Sequence, residues 1–111
     1  MMDFDVELSD GDGAVIRTRG RLNMVAAPKL RDLVAHIVRQ DGRSHVVVDL
    51  ADTDFMDSSG LGALIAGLKT ARAAGGDLRI ARAQAQVLTV LQLTNLDQVL
   101  HPHTSVEECF Q

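Results

Sequence analysis

Asp57-Ser58-Ser59-Gly60-Leu61-Gly62 gathers a carboxylate and two hydroxyls into one short segment, between an apolar strand-like run and an amphipathic helix-like one. The start of a helix leaves backbone N–H groups unpaired and carries the positive end of the helix dipole, so negative charge is favoured there. A phosphate on Ser58 or Ser59 is therefore compatible with the fold, and the turn reads as a covalent switch. Two other readings use the same residues. A nucleophilic serine needs a base within hydrogen-bond reach and a third group to orient it. His36, His45, His101 and His103 are candidates by number, but the G-x-S-x-G elbow is absent, because Ser59 is flanked by Ser58 and Gly60. A plain helix cap needs only a side-chain oxygen on a helix N–H.

Other segments offer weaker chemistry. Gly62-Ala63-Leu64-Ile65-Ala66-Gly67-Leu68-Lys69-Thr70 nearly matches the phosphate-binding loop G-x4-G-K-[ST], but Leu68 separates the second glycine from Lys69 and the apolar spacing is helical. Gly62, Ala63, Ala66 and Gly67 read instead as small residues that let a helix approach a sheet. His101-Pro102-His103 offers one edge of a metal site with no supporting Cys, Asp or Glu set, so no metal is expected and the segment reads as a surface loop. Cys109 reads as a half-buried apolar side chain. Arg17, Arg19 and Arg21 alternate on one strand face, either as a solvated edge that discourages strand addition or as a docking patch.

Composition bounds the rest. A chain of 111 residues with 46% hydrophobic content reads as one globular domain, residues 1–111, large enough to bury a core without disulfide or metal. Three Phe are its whole aromatic content, so the core is aliphatic and there is no platform for stacking bases. A net charge of -4 argues against a polyanionic partner, and no nucleic acid is expected. Cys109 is the single cysteine, which suits a reducing compartment. Near Met1 there is no signal-like pattern, and no apolar run approaches the roughly 20 residues that cross a bilayer. The expectation is a cytoplasmic protein with no membrane partner.

The elements that position the serines follow from periodicity. Phe4, Val6 and Leu8 alternate with polar residues, Asp10-Gly11-Asp12-Gly13 turns, and Ala14 to Leu22 resumes, which predicts an N-terminal β-hairpin. Pro28 opens a helix carrying Leu30, Leu33, Val34, Ile37 and Val38, which runs until Gly42. Val46 to Leu50 is a β-branched run without alternation, expected as a central strand covered on both faces. Leu61, Leu64, Ile65 and Leu68 predict a second helix, stopped by Gly75-Gly76. A short strand at Leu78-Arg79-Ile80, a helix with Val87, Val90 and Leu91, a brief strand at Val99-Leu100 and a terminal helical turn anchored by Val106 and Phe110 complete the reading. Strands alternating with helices imply an α/β fold: a mixed, mostly parallel sheet with helices packed on it. Functional sites in such sheets gather at the carboxyl ends of strands, where Ala51 to Ser59 is expected.

With these residues in order, the chain resembles the STAS domain family, in particular the bacterial anti-sigma factor antagonists. The resemblance rests on the hairpin, on Gly20-Arg21-Leu22-Asn23 leading through Ala26-Ala27-Pro28 to the first helix, on Val46 to Leu50, and on Phe55-Met56-Asp57-Ser58-Ser59-Gly60-Leu61-Gly62. It implies that Ser59, with Ser58 as the fallback, is the phosphoacceptor, and that Asp57 positions the turn and contacts the partner. Asn23 stands where the family frequently has Asp. The implied partner-binding set is Asn23, Asp57, Ser58, Ser59, Gly60 and Leu61, with no catalytic residue and no cofactor. The implied partners are an anti-sigma factor that is commonly also a serine kinase, and a serine phosphatase. Related modules also serve as subunits of lipid-transport machinery or of larger signalling assemblies.

Overall fold

Ten residues flanked by turns pair with a neighbour on each side near the N-terminal end of the sheet. A computed structural model describes residues 3–9 and 11–110; Asp10, expected in the hairpin turn, lies outside them. Strand β1 (Asp3–Leu8) pairs antiparallel with β2 (Gly13–Leu22), as the alternation predicts. Helix α1 (Ala27–Arg39) then leads to β3 (His45–Met56), α2 (Ser58–Ala73), β4 (Asp77–Ala81), α3 (Ala85–Leu93), β5 (Pro102–His103) and α4 (Val106–Cys109). The strand order is β1-β2-β3-β4-β5, with every pairing after the hairpin parallel, so β3 is central.

Successive strand residues point to opposite faces, and the two faces are covered differently. Ala14, Ile16, Val46, Val48, Leu50, Leu78 and Ile80 meet the apolar stripes of α1, α2 and α3 in one large core. Val15, Val47 and Ala81 face the other way and meet Cys109 and Val106 of the short α4. The run Val46 to Leu50, apolar except for Asp49, is thus buried residue by residue on both sides. Gly67 permits the close approach expected of a small residue, since a methyl there would press on Leu78 and Val34. Gly62 does not share that role: a methyl there would meet nothing, because the position is exposed at the helix surface. Gly75, at φ +85, ends α2 in the left-handed conformation that glycine adopts without strain.

Further expectations change. Strand β3 runs on through Ala51 to Met56, so only Asp57 onward lies at its carboxyl end. Its polar stretch hid the strand because the β2–β3 register shifts twice, between Arg17 and Arg19 and between Gly20 and Arg21, and each shift resets the alternation. The two hydroxyls this buries, Thr18 and Thr53, bond to each other, and Thr53 also donates to the Thr18 carbonyl at 3.2 Å. The last strand is Pro102–His103 rather than Val99-Leu100, and the His-Pro-His segment is therefore strand, not surface loop. Pro102 fits because β5 is an edge strand with no further neighbour among the described residues to receive an N–H, while Leu100 is spent filling the core. Cys109 is buried rather than half-buried, and burial pushes its thiol pKa up to about 11.

Arg17, Arg19 and Arg21 do not form a solvated edge, because β2 is flanked by β1 and β3. Nor are they free cations: Arg17 donates to Glu7 at 2.9 Å, Arg19 to Asp5 at 2.6 Å, and Arg21 lies 4.2 Å over the Phe55 ring. The first two are diagonal cross-strand pairs, which zip the hairpin and, being exposed, contribute at most about 1 kcal/mol each.

Candidate functional site

Parallel pairing of Leu22 with Met56 makes β2 and β3 end side by side, so Asn23 and Asp57 leave the sheet as neighbours. The Asp57 N–H donates to the Leu22 carbonyl at 3.4 Å, tying the two exits together. Each exit is then shaped by its own side-chain oxygen. Asn23 Oδ1 accepts from the N–H groups of Val25 and Ala26 at 3.1 and 3.2 Å, which folds the turn that starts α1. Asp57 is the N-cap of α2: it sits in extended backbone, and its Oδ1 accepts from Gly60 N at 2.9 Å. The cap is thus the carboxylate, which leaves Ser58 and Ser59 as the first two helical residues with their hydroxyls exposed. Among the described residues neither hydroxyl has a hydrogen-bond partner.

Gly60 is held by sterics. Any side-chain carbon there would overlap the Leu22 carbonyl oxygen and Leu22 Cγ, so only glycine lets α2 start against the end of β2. Leu61 is 4% exposed and belongs to the core. These two residues hold the turn in place; the accessible part of the expected set is Asn23, Asp57, Ser58 and Ser59. Sequence reasoning missed the apolar component beside them. Met24 and Val25, 71% and 70% exposed, project from the turn that Asn23 folds. Ser59, with Met24, Pro28, Arg31 and Gly62, lines a groove of about 320 Å³ between the starts of α1 and α2, whereas Ser58 lies outside that lining. Exposed Met and Val next to a polar turn are legible in the sequence only once the turn is known to be a turn.

Two glutamines were also missed. Strand β4 pairs with β3 only from His45 to Asp49, so among the described residues the later half of β3 has no strand on that side. Gln86 supplies what is absent at the end: its Oε1 accepts from Met56 N at 2.8 Å, and its Nε2 donates to Met56 O at 3.0 Å. Gln84 Nε2 donates to Ala51 O at 2.6 Å. A side-chain amide carries one donor and one acceptor in the spacing of a peptide group, so α3 extends the sheet with side chains just before the Asp57 cap.

The competing chemistries do not assemble. His45 pairs with Asp12 at 2.8 Å at the opposite end of β3, and no base contacts either serine among the described residues. Residues 62–70 lie inside α2, where Thr70 donates to Ala66 O at 3.1 Å instead of presenting a phosphate loop. No cluster of metal-ligating side chains occurs among the described residues, and no helix there is long and apolar enough to cross a membrane. On the far face of the sheet a concavity of about 360 Å³ is bordered by Glu7, Arg17 and Arg82. Its cations already have partners. Arg82 binds the buried Asp49 carboxylate through both Nε and Nη2, which raises the guanidinium pKa further, and Arg17 pairs with Glu7 and approaches Asp49.

A mixed five-stranded sheet with a hairpin at its start, together with a serine turn capped by aspartate at the end of its central strand, defines a class, and the comparisons agree with it. The STAS domain family matches residues 3–109, and the chain belongs to that family. The anti-sigma-B factor antagonist of Staphylococcus epidermidis is 26% identical over 107 residues, covering 96% of this chain and 98% of its own. Among solved structures, an anti-sigma factor antagonist from Mycobacterium paratuberculosis superposes with a TM-score of 0.85 at 24% identity, over 99% of this chain and 92% of its own. The Bacillus cell fate determinant SpoIIAA in its phosphorylated form gives a TM-score of 0.75 at 22% identity, over 97% and 96% of the two chains. These last two likenesses show the fold.

Proposed function

We propose that this chain is an anti-sigma factor antagonist that binds an anti-sigma factor while Ser59 is unmodified, releasing a sigma factor, and that phosphorylation of Ser59 ends the complex. The observation that carries the reading is the exposed Ser59 hydroxyl, set on a helix N-terminus and sharing one groove with Met24. Exposed apolar side chains give a partner contact area, and the serine beside them gives the means to cancel it. A kinase, commonly the anti-sigma factor itself, supplies ATP. Ser59 Oγ forms a bond to the γ-phosphorus as the bond to the β-phosphate oxygen breaks; the hydroxyl proton passes to a base of the kinase and ADP departs. A phosphatase hydrolyses the ester and returns the hydroxyl with release of inorganic phosphate.

One phosphate is close to sufficient. It adds about -1.5 to -2 charges at neutral pH. Against a partner carboxylate about 6 Å away at an effective dielectric of about 20, that costs roughly 4 to 5.5 kcal/mol. Reversing a 1:99 equilibrium takes about 5.5 kcal/mol. On open surface at a dielectric near 80, each unit charge would cost only about 1 kcal/mol at contact, so the effect depends on the serine lying inside the interface. The test is affinity for the anti-sigma factor across Ser59 variants. Ser59→Ala keeps binding and takes up no phosphate; Ser59→Asp binds more weakly, though less so than phosphoserine. Full phosphate uptake by Ser59→Ala would move the acceptor to Ser58, and unchanged affinity of Ser59→Asp would remove the electrostatic gate.

A further inference from the structure

The arginines on the sheet of this protein are spoken for, whereas Arg31 on α1 is not. Arg17, Arg19 and Arg82 are paired with carboxylates, and Arg21 lies over Phe55. Arg31 is exposed, has no ion pair or hydrogen bond among the described residues, and lines the same groove as Ser59. It follows Ala27 by four residues on the same helix face, and Ala27 is buried against the core, so this face of α1 is the one turned toward α2. Packed helices stand about 8–10 Å apart, a gap that a long guanidinium side chain on one and a phosphorylated serine on the other can close. Gly62, whose position would admit a methyl without contact, leaves the floor of the groove open between them.

We infer that Arg31 receives the phosphoserine formed at Ser59, drawing the phosphate into the groove between α1 and α2. The inference rests on the reading of Ser59 as the acceptor and adds to it a regulatory element within the chain. Guanidinium and phosphate match as a forked donor set against paired acceptor oxygens, which orders the phosphate as well as neutralising part of it. Held in this way, the phosphate lies beside Met24 and Pro28 rather than swinging freely in solvent. It then covers contact surface as well as repelling acidic groups. Ser58, outside the groove lining, gives a phosphate no such seat.

The test uses the full chain with phosphoserine placed at position 59 during translation, so it does not depend on any kinase. Phosphorus NMR then follows the second ionisation of the phosphate in the otherwise native chain, in Arg31→Gln and in Arg31→Lys. A nearby cation favours the dianion, so the native chain titrates lower than Arg31→Gln by about half a unit or more, with Arg31→Lys between them. Phosphoserine placed at 58 shows no dependence on Arg31. Identical titrations of the native and Arg31→Gln chains, or an equal Arg31 effect at position 58, would overturn the inference. Retained anti-sigma factor binding by the 59-phosphorylated chain would instead overturn the functional reading and leave the phosphorus titration untouched.

Discussion

Replacing Gln86 by Ala removes both hydrogen bonds that α3 makes to the backbone of Met56, at 2.8 and 3.0 Å, one residue before the cap of α2. Met56 is 1% exposed, so its N–H and C=O lose their partners in a place that water reaches poorly. An orphaned buried polar group costs about 1–3 kcal/mol, and two would cost roughly 2–6. Gln86 itself is only half-buried, so solvent enters from its side and the lower half of that range applies. Alanine also recovers some side-chain entropy and a little helix propensity, about 0.5–1 kcal/mol together. The net expectation is a loss of about 1–3.5 kcal/mol, or roughly 4–15 °C in Tm for a domain of this size. Thermal unfolding followed by circular dichroism reads the first quantity. Amide hydrogen exchange at Met56 and through the start of α2 reads where the loss falls. Gln84→Ala is the comparison: one bond from an exposed amide to Ala51 O, expected to cost under about 1 kcal/mol. A Gln86→Ala protein within 0.5 kcal/mol of the native chain, or a Gln84→Ala protein less stable than it, would refute the view that side-chain amides complete the sheet here.

Further consequences concern the same framework. Gly60→Ala places a methyl on the Leu22 carbonyl and is expected to cost about 2–3 kcal/mol by denaturant melting, with weakened partner binding because the serine turn must shift. Asp49→Ala removes a 2% exposed carboxylate that pairs with the Arg82 side chain; a loss of about 2 kcal/mol is expected, moderated because the Arg82 side chain is half exposed. Cys109 keeps its proton in the folded chain to about pH 11, above the range in which an exposed thiol ionises. The folded state therefore binds more protons than the unfolded one above about pH 9, so this contribution to stability is whole below that pH and is lost as pH rises toward 11. Alkylation of Cys109 by iodoacetamide at pH 8 should be slow until denaturant is added; fast labelling of the native chain would contradict the burial.

Much of this protein was legible in its sequence because the governing physics is local. Apolar spacing in Leu30, Val34, Ile37 and Val38 specifies a helix with one buried face, and the run Val46 to Leu50 specifies a strand buried on two. Glycines at turns and an aspartate three residues before Gly60 mark where these elements stop and start. Pairing register is not local. It decided that β3 continues to Met56, since two bulges hide the alternation of its polar half, and that β5 forms at Pro102–His103, where the edge strand needs no N–H from proline. Register also gave Arg17 and Arg19 their carboxylate partners across the hairpin and brought Asn23 beside Asp57. Residues with chemical character could be named from the chain alone, but which of them share a groove depends on contacts between segments far apart in sequence. Those contacts form only when the helices and strands bury their apolar faces together.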